Sequence, residues 1–499
     1  MIFMNLRKIE HLLILAILFL LPWQTRYIWQ YGQLGGGVWE YGTFSIYGVE
    51  VLLWLVVILF FIRQIREKKV SSIFLVQKNR RLPIIFLLLM ALSLAFSENF
   101  WVSYQYVFRW LEVMAFAVVV NLSLKPVAVC HSERSEESFM LGMEKKHGVR
   151  DPSTPLRFAQ DDKFKNGRLY FIALWSGGIV QGLLAIYQFL NQSVFASKWL
   201  GMAAQEAVQG GASVVEFADQ RWLRAYGSFG SPNSLGIYLA ILLVVGFILY
   251  LKIERSVYKI FITIGQLIIV SGLLLSFSRG AWLAALVGII CLAIIVFVTR
   301  YHSEPRKRDK FGEEFLSDQV NNNRQRSLTL FRMTMRKDFI KHLFFILAVA
   351  SLWIGFFYPV FTARFNTQNR LEARSITERK NQYQESLSFI ELKPFFGVGP
   401  GAYTFAVAKK YPQLQFWQLQ PVHNIYLLSI AEFGILFAVV LGFILINFVK
   451  QVSKNNLVFL PVLITLLAAG LFDHWLFTMF SGLLLWWVIL ALSLEKIDS

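Results

Sequence analysis

Residues 257–299 read VYKIFITIGQLIIVSGLLLSFSRGAWLAALVGIICLAIIVFVT. Two apolar runs, 257–277 and 280–299, are each close to the roughly 20 residues an α-helix needs to cross the hydrocarbon layer. Both are apolar on every side rather than along one stripe, a pattern that suits lipid and not water. After Lys259 the only charge is Arg279, in Ser276-Phe-Ser278-Arg279-Gly280, with almost no loop to carry it into solvent. The stretch reads as two spans back to back with an arginine at their turn.

The same pattern recurs outward in both directions. Apolar runs fall near 10–24, 44–62, 82–97, 102–124, 168–191, 233–251, 342–361, 424–448, 456–472 and 475–494, which with the central pair makes twelve. Hydrophobic residues are 56% of the 499 and charged residues 16%, more apolar side chain than a soluble fold can bury. The net charge of +18 raises the question of nucleic acid, and its distribution answers it. With the N-terminus inside, 35 of the 49 Lys and Arg lie in the alternate segments assigned to the cytoplasm, 13 lie outside and Arg109 lies within a span. That bias is topogenic. It predicts an all-α, polytopic integral membrane bundle of about twelve helices with both termini cytoplasmic, and argues against a nucleic-acid partner. Arg7 and Lys8 precede the first run without a small-residue cleavage pattern, so that run is read as a span. Cys130 and Cys291 give neither a disulfide framework nor a metal spacing.

Residues 1–499 are taken as one membrane domain with distinct loops. Residues 300–341 read as a basic cytoplasmic loop facing lipid headgroups. Residues 192–232 and 362–423 are long outer loops whose Trp199, Trp222, Phe395, Tyr403, Tyr411, Phe416 and Trp417 are enough to fold them onto the bundle. The second is expected to carry part of the active site. Residues 129–167 contain His131-Ser-Glu-Arg-Ser-Glu-Glu-Ser138 and read as an inserted, disordered cytoplasmic loop, similar to a translated bacterial palindromic repeat.

Ionisable groups beside apolar runs are functional candidates because charge is expensive at membrane depth. Arg279 has the fork geometry to hold phosphate oxygens, and the helix starting after it adds a positive end to the same spot; the bland reading is a snorkelling interfacial side chain. Arg224 precedes a tight turn set by Gly227, Gly230 and Pro232, and Arg221 shares its context. His423 stands at the outer mouth of a span, where it is either a general base or a hydrogen-bonded anchor. Glu432 follows nine positions on, on roughly the same side, as an orienting partner. Pro394-Phe-Phe-Gly397-Val-Gly399-Pro-Gly401 lacks the Lys-Ser/Thr of a phosphate loop and reads as a tight turn. Asp473 and His474 form a local polar pair. No His, Cys, Asp or Glu cluster shows metal-ligand spacing.

Four of these segments together resemble the O-antigen ligase and polymerase family of bacterial membrane glycosyltransferases. They are Arg224 with Gly-Ser-Phe-Gly-Ser-Pro-Asn233, Ser276-Phe-Ser-Arg279-Gly-Ala-Trp, Pro394-Phe-Phe-Gly-Val-Gly-Pro-Gly401, and His423-Asn424-Ile-Tyr with Glu432 and Gly434. The ligase-like region is about 168–495; the insertion at 129–167 departs from the pattern. The resemblance implies glycan transfer from an undecaprenyl-diphosphate carrier to a hydroxyl of a lipid or glycan acceptor, on the outer face of the bacterial cytoplasmic membrane. It implies inversion at the anomeric centre, no metal and no cofactor. Arg224 and Arg279 then bind the diphosphate, whose charge grows in the transition state, and His423 takes the acceptor proton, oriented by Glu432. Asn233 and Asn424 stand behind them as substrate-binding residues or only as helix caps. A polymerase of lipid-linked repeat units shares this donor chemistry. A transporter for anions or small solutes predicts internal repeats and broken midplane helices, which the sequence does not display.

Overall fold

The computed structural model describes residues 2–67, 81–124, 154–298 and 314–494, with side chains omitted at 2–5, 81–83, 154–166 and 314–332. The segment 129–153, most of the inserted loop, and residues 300–313 of the basic loop lie outside the described residues.

Each apolar run contains a helix. The helices are α1 (Ile2–Leu20), α2 (Gly48–Arg66), α3 (Arg81–Ala95), α4 (Phe100–Ser123), α5 (Thr154–Asn191), α6 (Pro232–Lys252), α7 (Ser256–Leu275), α8 (Arg279–Val298), α9 (Glu314–Phe356), α10 (Tyr358–Phe365), α11 (Arg370–Leu392), α12 (Tyr403–Lys410), α13 (Ile425–Asn455), α14 (Leu460–Gly470), α15 (Trp475–Thr478) and α16 (Phe480–Ser493). Eight described helices are long and apolar enough to cross a membrane. The apolar stretches 84–95, 457–470 and 480–493 are shorter. At 1.5 Å per residue, fourteen residues cover only about 21 Å, so these helices lean on flanking residues to match the bilayer. The span expected at 342–361 ends instead at Phe356, where Pro359 opens the new helix α10.

Helix α6 is enclosed on all sides by the rest of the bundle. Its neighbours approach closely because small residues face them. A Cβ on Gly236 would meet Ser276, Ser278 and Ala281, the turn between α7 and α8. The loops join at one end of the bundle. Thr25 Oγ1 donates to the Trp199 carbonyl at 2.5 Å, Phe416 N–H to the Gly35 carbonyl at 2.9 Å, and Glu98 N–H to the Val398 carbonyl at 2.9 Å. At the opposite end, Arg63 pairs with Glu10 at 2.8 Å and Lys259 with Asp338 at 2.5 Å. The loops expected outside therefore gather at one end. Among the described residues the strands are short and antiparallel; β1 (Val214–Phe217) with β2 (Gln220–Leu223) leads into Arg224.

Helix α13 is broken at Gly434, whose φ of 82° belongs to the left-handed region. The break strands backbone groups inside the bundle, and the glycine-rich run repairs it. Val398 N–H donates to the Ala431 carbonyl at 2.9 Å, Gly399 N–H to the Glu432 carbonyl at 2.9 Å, and Ile435 N–H to the Pro394 carbonyl at 2.8 Å. The turn read at 394–401 is thus a backbone splint across a helix break.

Candidate functional site

Four chain segments meet at the loop-bearing end: 224–233, 276–279, 364–372, and 423 with 473–474. The first is a buried loop, and buried backbone requires partners. Gln188 Oε1 accepts from Tyr226 N–H at 3.0 Å and Gly227 N–H at 2.8 Å, Gln181 Oε1 accepts from Ser228 N–H at 2.8 Å, and Ala225 N–H donates to the Leu275 carbonyl at 3.0 Å. Both glutamines are fully buried on α5 and hold the loop against the start of α6.

Arg224 is consequently fixed and buried. Its Nε donates to the Ser276 carbonyl at 2.9 Å and its Nη2 to Asn233 Oδ1 at 2.7 Å. Among the described residues, no carboxylate forms an ion pair with it. Burial, and then the positive charge of Arg364, push its pKa below the ordinary arginine value. A buried guanidinium held by neutral groups alone is electrostatically short of an anion. Arg221, its sequence neighbour, stays in the hairpin and donates to the Val208 carbonyl at 3.1 Å.

From Arg224 a line of polar contacts runs on to the histidine. Asn233 Nδ2 donates to Asp473 Oδ2 at 3.3 Å, and His423 Nδ1 lies 3.3 Å from the same oxygen. Burial alone would raise the Asp473 carboxyl, but the His423 hydrogen bond and the Trp475 N–H outweigh it and hold it well below the usual carboxylate range. An ionised Asp473 places the His423 proton on Nδ1 and leaves Nε2 free. The His474 ring lies 5.0 Å from that of His423, with Nδ1 2.8 Å from Thr478 Oγ1; burial pushes its pKa down to about 4.

Arg279 sits differently from Arg224. Its Nη1 donates to the Arg364 carbonyl at 3.2 Å, and its Nη2 lies 2.9 Å from Glu372 Oε2 without hydrogen-bond alignment. Arg364 also pairs with Glu372, and its Nε donates to the Phe277 carbonyl at 2.9 Å. One carboxylate thus serves two guanidiniums. The turn carbonyls of Ser276 and Phe277 hold Arg224 and Arg364, so three arginines converge on one bend. Phe277 has a φ of 48°, unusual for a side chain of its size, and its fully buried ring anchors that bend.

Two expectations need correction. Glu432 does not orient His423; the carboxylate beside the imidazole is Asp473. The nine-residue spacing misleads because α13 begins at Ile425, so His423 lies outside the helix whose rotation the spacing counts. Glu432 instead accepts from the backbone of Gly401 and Tyr403. Asn233 does not cap α6, since Ser231 accepts from Asn233 and Ser234 N–H; it links Arg224 to Asp473. Asn424 does act as the cap of α13, accepting from Tyr426 N–H at 2.9 Å and Leu427 N–H at 3.1 Å.

The fold also builds a cluster with no spacing signal in the sequence. One ligand-capable atom from each of His423, Asp473 and His474 lies within 4.8 Å of the others. Hydrogen bonds to Asp473 and Thr478 already engage both Nδ1 atoms. Asp473, Arg364 and Glu372 carry roles here that the sequence did not isolate. Asp473 was visible only as half of a polar pair, and Arg364 was one of eight basic residues in its loop.

A comparison with curated proteins finds no match. Residues 264–442 match the family model described as O-antigen ligase, a stretch that contains Arg279, the glycine-rich run, His423 and Glu432. Arg224, Asn233 and Asp473 lie outside the matched residues but within the same hydrogen-bonded line, and residues 264–442 are similar to the O-antigen ligase family.

Proposed function

We propose that this protein transfers a glycan from an undecaprenyl-diphosphate carrier to the hydroxyl of a lipid or glycan acceptor. The site would face the outer side of the bacterial cytoplasmic membrane, with both termini in the cytoplasm. The carrying observation is Arg224, a buried cation without a carboxylate partner among the described residues, joined through Asn233 and Asp473 to His423.

In this reading His423 Nε2 takes the acceptor proton as the hydroxyl oxygen bonds to the anomeric carbon. The carbon–oxygen bond to the diphosphate breaks, and its electron pair leaves on the carrier. A single displacement inverts the anomeric centre. Arg224 and Arg279 take up the growing negative charge, and Asp473 steadies the imidazolium as it forms. Arg279 reaches the diphosphate by leaving a poorly aligned contact with Glu372.

The test is purified protein with a lipid-diphosphate glycan and the acceptor glycolipid. Arg224→Ala, Arg279→Ala and His423→Ala are each expected to remove most release of undecaprenyl diphosphate. Full turnover in both Arg279→Ala and His423→Ala would discard the assignment. A chelator is expected to leave turnover unchanged, whereas inhibition would give His423, Asp473 and His474 to a metal. The product's acceptor end separates ligation from extension of lipid-linked repeat units.

A further inference from the structure

Among the described residues, Glu372 is the carboxylate that touches the arginine cluster. It sits in the first turn of α11, where the positive helix end favours an acidic side chain, and it is 3% exposed. The start of that helix is anchored. Leu371 packs against the apolar cluster of Val214, Leu223 and Tyr226, Asn369 Nδ2 donates to the Ala363 carbonyl at 3.0 Å, and Arg370 pairs with Glu216 at 2.8 Å. The carboxylate is thus held in place, and its two partners differ in freedom. The Arg364 side chain is 10% exposed and tied to the Phe277 carbonyl, whereas that of Arg279 is 29% exposed and meets Glu372 without hydrogen-bond alignment.

The cluster is more basic than its contacts alone convey, because the charge of Arg379, further along α11, also bears on Arg224 and Arg364. Asp473 is committed to His423 and reaches Arg224 only through Asn233. So much positive charge creates a difficulty at the end of the reaction. A carrier diphosphate esterified at both ends bears about two negative charges; once the glycan has left, the freed terminal phosphate adds about one more above its second pKa near 6. Arginines alone would hold the spent carrier more tightly than the loaded one, and slow product release limits turnover. A fixed carboxylate among them repels the spent carrier more than the loaded one, since the repulsion scales with the charge of the ligand.

We infer that Glu372 is a specificity-determining residue whose charge tunes the arginine cluster to release the spent carrier. Arg279 leaves it for the incoming diphosphate, while Arg364 stays paired with it. The inference rests on the glycan-transfer reading and adds how the same site lets go of its product. Glu372 acts through the arginines, as a positioning residue, and does not meet the reacting atoms.

The test uses two probes that differ by one methyl group and one charge, undecaprenyl diphosphate and its terminal methyl ester. Both are bound to detergent-purified protein at about pH 8, where the free terminal phosphate is ionised. Wild type is expected to bind the two within about tenfold of each other. Glu372→Gln should bind both more tightly, the free diphosphate by about tenfold more than the ester, whereas Glu372→Asp should keep the wild-type ratio. In the transfer assay, Glu372→Gln should lower the inhibition constant of undecaprenyl diphosphate relative to the donor KM, a ratio that a purely structural ion pair would leave unmoved. Two results would overturn the inference. One is wild type binding the free diphosphate more than about tenfold tighter than the ester, which needs no variant to fold; the other is the same ratio in wild type and Glu372→Gln. Binding of both probes without any glycan transfer would overturn the transfer reading and leave the charge assignment standing.

Discussion

At the residue scale, the outcome turns on which carboxylate faces which cation. The buried Asp473 holds His423 in one tautomer, so Asp473→Asn should lower kcat by about two orders of magnitude or more while leaving KM for the donor nearly unchanged. Arg224→Lys is not a mild change, because lysine cannot hold the Ser276 carbonyl and Asn233 from one planar group. It should lose activity nearly as fully as Arg224→Ala, read by release of the carrier diphosphate. His474 gives a pH dependence of stability. Its folded pKa of about 4 lies below its ordinary value near 6.5, so the unfolded chain binds the proton first as pH falls. Stability present above pH 6.5 should decline toward pH 4 by up to about 3 kcal/mol, and His474→Gln should flatten that part of the melting profile. Arg279 and His423 were legible in the sequence because a charge beside an apolar run is conspicuous. Asp473 was not, since its partners Asn233 and His423 lie 240 and 50 positions away.

At the element scale, two backbone irregularities position the site. Gly434 breaks α13 and receives the glycine-rich run as its splint. A Cβ there would run into the Phe395 backbone. Gly434→Ala should destabilise the protein by about 1–3 kcal/mol and lower its melting temperature, because a left-handed residue and a close approach are both lost. The second irregularity is the Ser276–Ser278 bend, whose carbonyls orient Arg224 and Arg364. The sequence showed that both segments turn, through glycine and proline in one and the shortness of the connection in the other. It did not show what the turns serve. Hydrogen bonds from one loop to a distant helix break leave no local periodicity to read.

At the scale of the whole molecule, hydropathy located the helices because apolar runs are set by bilayer thickness, a property independent of the neighbours. Boundaries moved where proline or a short connection intervened, as at Phe356 and in the divided α15 and α16. Trp199 and Trp417 are exposed at the loop-bearing end, at 75% and 56%. In a background of Cys130→Ser and Cys291→Ser, Trp199→Cys and Trp417→Cys should react in whole cells with a thiol reagent that cannot cross the cytoplasmic membrane. Glu254→Cys, at the opposite end, should react only after the cells are opened; the reverse labelling pattern would invert the topology. The enclosed helix α6 has a consequence for biogenesis. It carries Asn233 at its start, and Asp473 is synthesised 240 residues later. At roughly 5–20 residues per second, a nascent chain holds Arg224 and Asn233 for tens of seconds before Asp473, the acidic partner of Asn233, exists. On the proposed function, a ribosome-bound chain that has not yet made its last hairpin should be inert toward lipid-linked sugar, with competence arriving only when the closing helices dock.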